Sequence, residues 1–185
     1  MKVLLHACCA PCLLSPWERL KEENYEVVCL FYNPNIQPFQ EYERRLNCLK
    51  KFCEENEIKL IEGAYDIDRF FQDVVYRERV RCPICYRLRL TETAKVARRG
   101  RFDYFSTTLL VSPFQKHDLI REIGQDIAER YDVPFLYLDF RKGWKKAVVK
   151  SRELELYRQQ YCGCIYSERE RYYKPHLVGK GISKK

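Results

Sequence analysis

Short apolar runs alternate with amphipathic stretches along most of this chain of 185 residues. A run that is apolar throughout is typical of a strand in a sheet covered on both faces, whereas apolar residues three or four positions apart are typical of a helix. The pattern predicts five strands, over residues 2–7, 25–32, 58–61, 102–108 and 134–139. It predicts helices over residues 16–21, 38–55, 66–80, 85–99, 116–131 and 144–160.

This alternation predicts an α/β fold with a parallel sheet and helices on both faces, because a helix that connects two parallel strands must pack back onto the sheet. Sites in such folds form beyond the carboxyl ends of the strands. The first strand leads into Cys8 and Cys9, the fourth into Thr107 and Thr108, and the fifth into Asp139. We therefore expect chemistry at these positions.

The charge of the chain is positive and unevenly distributed. Its 34 Lys and Arg residues exceed 26 Asp and Glu residues, which gives a net charge of +8. Residues 140–185 hold 13 basic and four acidic side chains, and residues 77–101 hold nine basic and two acidic ones. Two basic regions that each contain a cysteine pair suit a polyanionic partner such as RNA, although a solvated basic surface has the same composition.

The length fits one domain, residues 1–185, with a basic C-terminal segment over about residues 160–185. No apolar run approaches the ~20 residues of a membrane helix, and the apolar start of the chain is too short for the core of a signal peptide. We therefore expect a cytoplasmic protein without a membrane partner.

Ten cysteines in a chain of this kind favour metal ligands or redox thiols over a disulfide framework, because no export signal is present. The motif HACCAPC at residues 6–12 lies where a strand passes into a helix, so Cys8 and Cys9 can converge there. Cys82 and Cys85 form a C-x-x-C motif at a predicted helix start. Together the two pairs supply four sulfurs, which suffice for a [4Fe–4S] cluster or a structural zinc ion.

Cys162 and Cys164 flank a glycine that permits a bent backbone. This dithiol can deliver two electrons by closing to a disulfide, or it can chelate a second metal ion. Cys12 can join either site. Asp139 can ligate iron or donate a proton, and a helix-capping or salt-bridging role is the structural alternative.

Other polar residues carry weaker predictions. His6 can donate a hydrogen bond to a cluster sulfur, but a lone histidine is more often part of the core. Four basic residues are candidate phosphate contacts: Arg141, Lys142, Lys145 and Lys146. Cys29 and Cys53 fall at core positions, and Cys48 is predicted to be an exposed thiol.

Four motifs together resemble the QueH family of epoxyqueuosine reductases. They are HACCAPC at residues 6–12, RCPICYRL at 81–88, DFRK at 139–142 and YCGC at 161–164, in the order of the family. The resemblance implies the final step of queuosine biosynthesis, in which an epoxide on a modified base at the wobble position of tRNA is reduced to an alkene without cobalamin.

The resemblance also implies roles for individual cysteines. Cys8, Cys9, Cys82 and Cys85 would hold a [4Fe–4S] cluster. Cys162 and Cys164 would be the redox pair, or would bind an adjacent mononuclear iron with Cys12 or Asp139. Candidate catalytic residues are thus Cys162, Cys164 and Asp139, and the electron donor is unidentified.

The fold implied by the resemblance is Rossmann-like, of the PP-loop/HUP-like type, with the metal site at the C-terminal ends of the strands. The turn after the first strand holds Cys8 and Cys9 in place of a Ser/Gly-rich phosphate loop, which argues against ATP use. Two other functions remain open from the residues alone: a zinc-stabilised RNA-binding module without catalysis, and an iron–sulfur electron carrier.

Overall fold

A computed structural model describes residues 1–174, and within them four strands form one parallel sheet. The strands are β1 (Lys2–His6), β2 (Glu26–Phe31), β3 (Lys59–Glu62) and β4 (Tyr104–Thr107). Their order in the sheet is β3-β2-β1-β4, and every neighbouring pair is parallel. The predicted α/β fold with a parallel sheet is confirmed.

The central position of β1 explains its composition. Val3, Leu4 and Leu5 are fully buried because β2 and β4 flank the strand and helices cover the sheet. The winding of the chain reverses between β1 and β4, so the ends of these two strands border the crevice where α/β sheets bind ligands. His6 and Thr107 are register partners at that point.

The predicted fifth strand is wrong in extent, since residues 134–139 make only an isolated parallel bridge to β4 through Phe135 and Phe105. The N–H of Leu136 donates to the carbonyl of Phe105 at 2.9 Å. The carbonyl of Leu136 then accepts the Ser106 hydroxyl at 2.8 Å, and β4 itself ends one residue later. Beyond this bridge the contact with β4 passes through a side chain rather than through a continued backbone ladder.

Seven helices accompany the sheet in residues 1–174. They are α1 (Ala10–Glu22), α2 (Phe39–Glu55), α3 (Ile67–Val74), α4 (Arg81–Arg99), α5 (His117–Tyr131), α6 (Trp144–Glu153) and α7 (Ile165–Tyr172). Short 3-10 turns cover Glu78–Val80, Thr108–Val111 and Arg141–Gly143. Helices α1, α2 and α6 pack together, and α3, α4 and α5 form the other group.

Helix boundaries depart from the prediction where the backbone adopts positive φ. The helix predicted over residues 66–80 stops at Val74, and Tyr76 follows with a φ of 64°. The helix predicted to reach residue 160 ends at Glu153, and Glu155 has a φ of 50°. Neither residue is a glycine, so the hydrophobic pattern alone does not reveal these stops.

No helix within the described part of the chain has the length and apolar character needed to cross a membrane.

Candidate metal and redox site

Three cysteines converge where β1 passes into α1, and we call them the first cysteine group: Cys8, Cys9 and Cys12. Their Sγ atoms lie within 4.8 Å of one another, the only such set of three or more His, Cys, Asp or Glu ligand atoms within residues 1–174. The Sγ atoms of Cys8 and Cys9 are 3.8 Å apart, and both residues are buried. Cys9 has an extended backbone as the N-cap of α1, which turns the chain so that the thiols face one another.

The first cysteine group concentrates negative charge on Cys8. Hydrogen bonds from Cys12 and Cys9 hold the pKa of Cys8 well below its usual value. The same contacts with Cys8 and Cys9, together with burial, raise the pKa of Cys12. Cys12 lowers the pKa of Cys9, but Cys8 and burial outweigh this and raise it to about 12. The three sulfurs thus share hydrogen bonds, and a metal ion that binds all three must displace the protons that they carry.

Thr108, where chemistry was expected, and Gln159, which was not predicted, hold these thiols. The Thr108 hydroxyl donates to Cys8 Sγ at 3.5 Å and accepts the Cys8 backbone N–H at 3.2 Å. Gln159 donates through Nε2 to Cys9 Sγ at 3.4 Å. The position of Thr108 at the end of the fourth apolar run was a usable signal. Gln159 lies 150 residues from its partner Cys9, and nothing in the sequence around it indicated this contact.

Four further cysteines form the second cysteine group: Cys82, Cys85, Cys162 and Cys164. The first two lie in the opening turn of α4, as predicted for the C-x-x-C motif. The Sγ atoms of the other two are 3.8 Å apart. The charge of Cys162 raises the pKa of both Cys82 and Cys85, although burial is the larger cause at each.

Gly163 is required by the bend between the last two cysteines. Its φ is +118°, a conformation that other residues rarely adopt. A Cβ at this position would lie 2.8 Å from Cγ1 of Ile36 and 3.0 Å from Nη1 of Arg45. The bent backbone predicted for this glycine is confirmed.

Cys162 and Cys164 are inequivalent. The hydrogen bond between the two sulfurs lowers the pKa of Cys162 to about 5, and Ser167 adds to this effect. The same contact, with burial, raises the pKa of Cys164. The N–H of Ser167 at the start of α7 donates to Cys164 Sγ at 3.4 Å. The lowered pKa makes Cys162 the sulfur of the pair that loses its proton more readily, and closure of the pair to a disulfide requires an acceptor for two electrons.

The loop carrying Cys162 is attached to α2 through buried polar contacts. Arg45 is 1% exposed and donates through Nη1 to the carbonyl of Cys162 at 3.0 Å. Its Nε contacts Glu41 Oε1 at 2.6 Å, and this carboxylate supplies the counter-charge. The backbone N–H of Gln37 donates to the carbonyl of Gly163 at 2.9 Å. The side-chain Oε1 of Gln37 accepts the backbone N–H of Ile165 at 3.0 Å.

The donor set fits a soft metal centre such as an iron–sulfur cluster. All ten cysteines are free, and seven of them lie in the two groups. Thiolates prefer iron–sulfur clusters and zinc over hard cations. Gln159, which contacts Cys9 through Nε2, has a buried Oε1 that lacks a partner in the described part of the chain, as expected beside a group that the protein atoms alone do not include.

Asp139 lies outside the three-thiol set. Its carboxylate accepts the Arg141 guanidinium at 2.6 and 2.9 Å and the Arg141 N–H at 3.0 Å. These hydrogen bonds lower the pKa of Asp139 to about 2. The structure thus shows the salt-bridging alternative at this residue, and a carboxyl group in this pair carries no proton to donate at neutral pH.

The four candidate phosphate contacts differ in their charge environment. Arg141 is paired with Asp139, and Lys146 contacts Glu18 at 3.3 Å. Lys142 and Lys145 are exposed, and within residues 1–174 neither forms an ion pair. The basic C-terminal segment was expected to reach residue 185, but residues 175–185 lie outside the described part of the chain.

His6 belongs to the core. It is fully buried, and its Nδ1 lies 2.9 Å from the Thr107 hydroxyl. Its Nε2 lies 3.2 Å from both the carbonyl of Tyr32 and Oδ1 of Asn33, so Nε2 must carry the proton. Burial lowers the pKa of His6 to about 4, which keeps the ring neutral.

The remaining cysteines lie away from the two groups. Cys29 and Cys53 are buried in the core, as predicted. Cys48, which we expected to be exposed, is half-buried on α2 and lines an open groove beside Trp17 and Phe52.

The chain is similar to known proteins over nearly its whole length. Residues 3–170 match the family model described as Epoxyqueuosine reductase QueH. The protein of that name from Dehalococcoides mccartyi is 40% identical over 176 residues, covering 95% of this chain and 97% of the relative. Its counterpart from Thermotoga maritima is 38% identical over 179 residues, covering 91% of each chain. The Staphylococcus aureus relative is 34% identical over 181 residues, with 90% and 75% covered.

Proposed function

The chain belongs to the QueH family of epoxyqueuosine reductases, and we propose that it removes the epoxide oxygen of epoxyqueuosine in tRNA. The product is queuosine, and the reaction is the final step of queuosine biosynthesis, carried out without cobalamin. The observation that carries this proposal is the buried set of three thiols, Cys8, Cys9 and Cys12, in a chain that also holds the close Cys162–Cys164 pair. Sulfurs of both cysteine groups act on the same buried Arg89.

Electron balance supports a role for the dithiol. Each turnover breaks both C–O bonds of the epoxide, forms an alkene and releases water, and so consumes two electrons and two protons. Closure of Cys162 and Cys164 to a disulfide releases the two electrons of one turnover. With Cys162 as a thiolate, closure releases one proton, and the second proton comes from solvent. An external electron donor must then reduce the disulfide.

We assign a [4Fe–4S] cluster to Cys8, Cys9, Cys82 and Cys85, with Cys12 beside the first pair. When bound, such a cluster supplies single electrons at a potential set by its surroundings. Thr108 and Gln159 orient the sulfurs of the first cysteine group. An adjacent mononuclear iron on Cys12, Cys162, Cys164 or Asp139 is the second assignment. Asp139 would first have to leave its pair with Arg141.

We further propose that the sheet is of the Rossmann-like PP-loop/HUP-like type, with a metal site at the carboxyl ends of the strands in place of a nucleotide. The strand order β3-β2-β1-β4 supports this, because it matches the first four strands of doubly wound sheets. Cys8 and Cys9 occupy the turn where such folds place a phosphate-binding loop.

The test is anaerobic incubation of the iron- and sulfide-reconstituted protein with epoxyqueuosine-containing tRNA and a strong reductant. Mass spectrometry of the digested nucleosides should show conversion to queuosine. A protein with an intact brown cluster that converts nothing would overturn the activity. A colourless protein that retains zinc would point instead to a structural metal site.

Cys162→Ser should abolish turnover and leave the visible absorption of the cluster unchanged, because serine cannot form the disulfide that supplies the electrons. Cys48→Ser is the matched control, since this thiol lies outside both cysteine groups, and it should remain active. Loss of the brown colour in Cys162→Ser would show that Cys162 is a ligand and that the assignment of the four ligands is wrong.

A further inference from the structure

Arg89 is a buried cation without a carboxylate partner. It lies one turn after Cys85 on α4 and is 3% exposed. Its Nε donates to the carbonyl of Cys85 at 3.4 Å, and its guanidinium lies 6.0 Å from the ring centroid of Tyr86. No Asp or Glu of residues 1–174 forms an ion pair with it. An uncompensated buried charge is strongly destabilising, so this residue needs a counter-charge.

The other fully buried arginine is compensated in the ordinary way. Arg45 contacts the Glu41 carboxylate at 2.6 Å and also donates to the carbonyl of Cys162. The chain therefore contains the means to neutralise a buried guanidinium, and it does so at Arg45. The contrast indicates that the counter-charge of Arg89 comes from another kind of group.

The anionic groups that act on Arg89 are sulfurs from both cysteine groups. Burial lowers the pKa of Arg89, but Cys85, Cys8 and Cys162 outweigh it and raise the pKa overall. Arg89 in turn lowers the pKa of Cys85, where burial is the larger effect. It also lowers the pKa of Cys162, where the hydrogen bond with Cys164 is the larger effect. Arg89 is thus within electrostatic range of both groups, and the sulfurs become fully anionic only when a metal replaces their protons.

We propose that Arg89 is a positioning residue that supplies the buried counter-charge of the metal centre and raises its reduction potential. This inference rests on the cluster assigned in the proposed function. Reduction adds one negative charge to a cluster, so a fixed cation nearby stabilises the reduced form more than the oxidised form. A guanidinium is always protonated and has no free lone pair, so Arg89 acts on the cluster as a charge and a donor.

The experiment compares reduction potentials in the reconstituted full chain. Arg89→Met removes the charge, Arg89→Lys keeps it, and Lys116→Met removes a charge from an exposed residue that also acts on Cys82. Iron and sulfide content are measured first, followed by a redox titration monitored by electron paramagnetic resonance. We expect Arg89→Met to lower the reduced-to-oxidised ratio at fixed potential by about tenfold, which is about 59 mV for one electron. Arg89→Lys should shift the reduction potential much less, because it keeps the charge. Lys116→Met should also shift the potential much less, because solvent screens the exposed charge of Lys116.

The outcomes separate this inference from the proposed function. A wild-type protein that assembles no iron–sulfur cluster overturns the proposed function. A wild-type cluster together with an unchanged potential in Arg89→Met overturns the role of Arg89. If Arg89→Met holds no iron, Arg89→Gln replaces it as the neutral variant. Loss of the cluster in both neutral variants but not in Arg89→Lys supports the counter-charge, and loss in all three shows a merely structural role.

Discussion

Thr108 shows how a single hydroxyl can fix the geometry of a buried thiol. It bonds both the N–H and the sulfur of Cys8, and it follows directly after β4, one hundred residues away along the chain. The N–H of Cys8 follows β1 and precedes α1, so neither element supplies it with a backbone partner. Removing the hydroxyl therefore leaves a buried donor unsatisfied.

Thr108→Val should lower the free energy of unfolding of the metal-free protein by about 1–3 kcal/mol, the usual cost of an unpaired buried polar group. Thr108→Ser retains the hydroxyl and serves as the control, with a smaller loss expected from its missing methyl group. Urea denaturation followed by circular dichroism measures both. Equal losses in the two variants would mean that packing of the methyl group, rather than the hydrogen bond, stabilises this site.

At the scale of the element, α6 and the 3-10 turn before it present basic side chains with different partners. Glu18 on α1 forms ion pairs with both Lys146 and Lys150, which join the two helices. Lys142 and Lys145 point to solvent and are available to a polyanion. The charge of this helix is therefore divided between an intramolecular contact and a candidate phosphate-binding surface.

Lys145→Ala should weaken tRNA binding and reduce the slope of log affinity against log salt by about 1, because one phosphate contact is lost. Lys146→Ala should change that slope less, since Glu18 already neutralises part of its charge. Fluorescence anisotropy with labelled tRNA over a series of salt concentrations measures both slopes. A larger effect of Lys146→Ala would reverse our assignment of the free and paired lysines.

At the scale of the whole molecule, the contact between α2 and the segment that carries Cys162 and Cys164 positions the dithiol. Arg45 spans it, with Glu41 as its buried counter-charge. Glu41 also accepts the hydroxyl of Tyr157, so one carboxylate holds two parts of the chain. The position of the dithiol beside the other cysteines thus depends on a buried ion pair more than a hundred residues distant in sequence.

Glu41→Ala should lower the free energy of unfolding by about 3–5 kcal/mol, because it leaves the Arg45 guanidinium buried and unpaired. Hydrogen exchange of the backbone around residues 157–164 should accelerate more than that of β1. Glu43→Ala, an exposed position on the same helix, is the control and should change neither. Uniform acceleration across the chain would mean that the pair stabilises the fold generally rather than this segment.

The sequence by itself determined the local features of this protein. Apolar runs located β1 and β2 best, because a strand covered on both faces is largely apolar, whereas β3 at the sheet edge is only partly buried. The C-x-x-C spacing placed Cys82 and Cys85 at the start of a helix. The glycine between Cys162 and Cys164 indicated a bent backbone there. Family likeness through the cysteine motifs was also visible at this level, because it depends only on residue order.

The tertiary structure decided which of these features meet. It placed Cys12 with Cys8 and Cys9, paired Asp139 with Arg141, and left Arg89 buried with no carboxylate partner among residues 1–174. It also reduced the predicted fifth strand to one bridge, next to which the Leu136 carbonyl accepts the Ser106 hydroxyl. Such pairings depend on strand order and helix packing, which set distances between residues far apart in the chain and leave no periodic signal in the sequence.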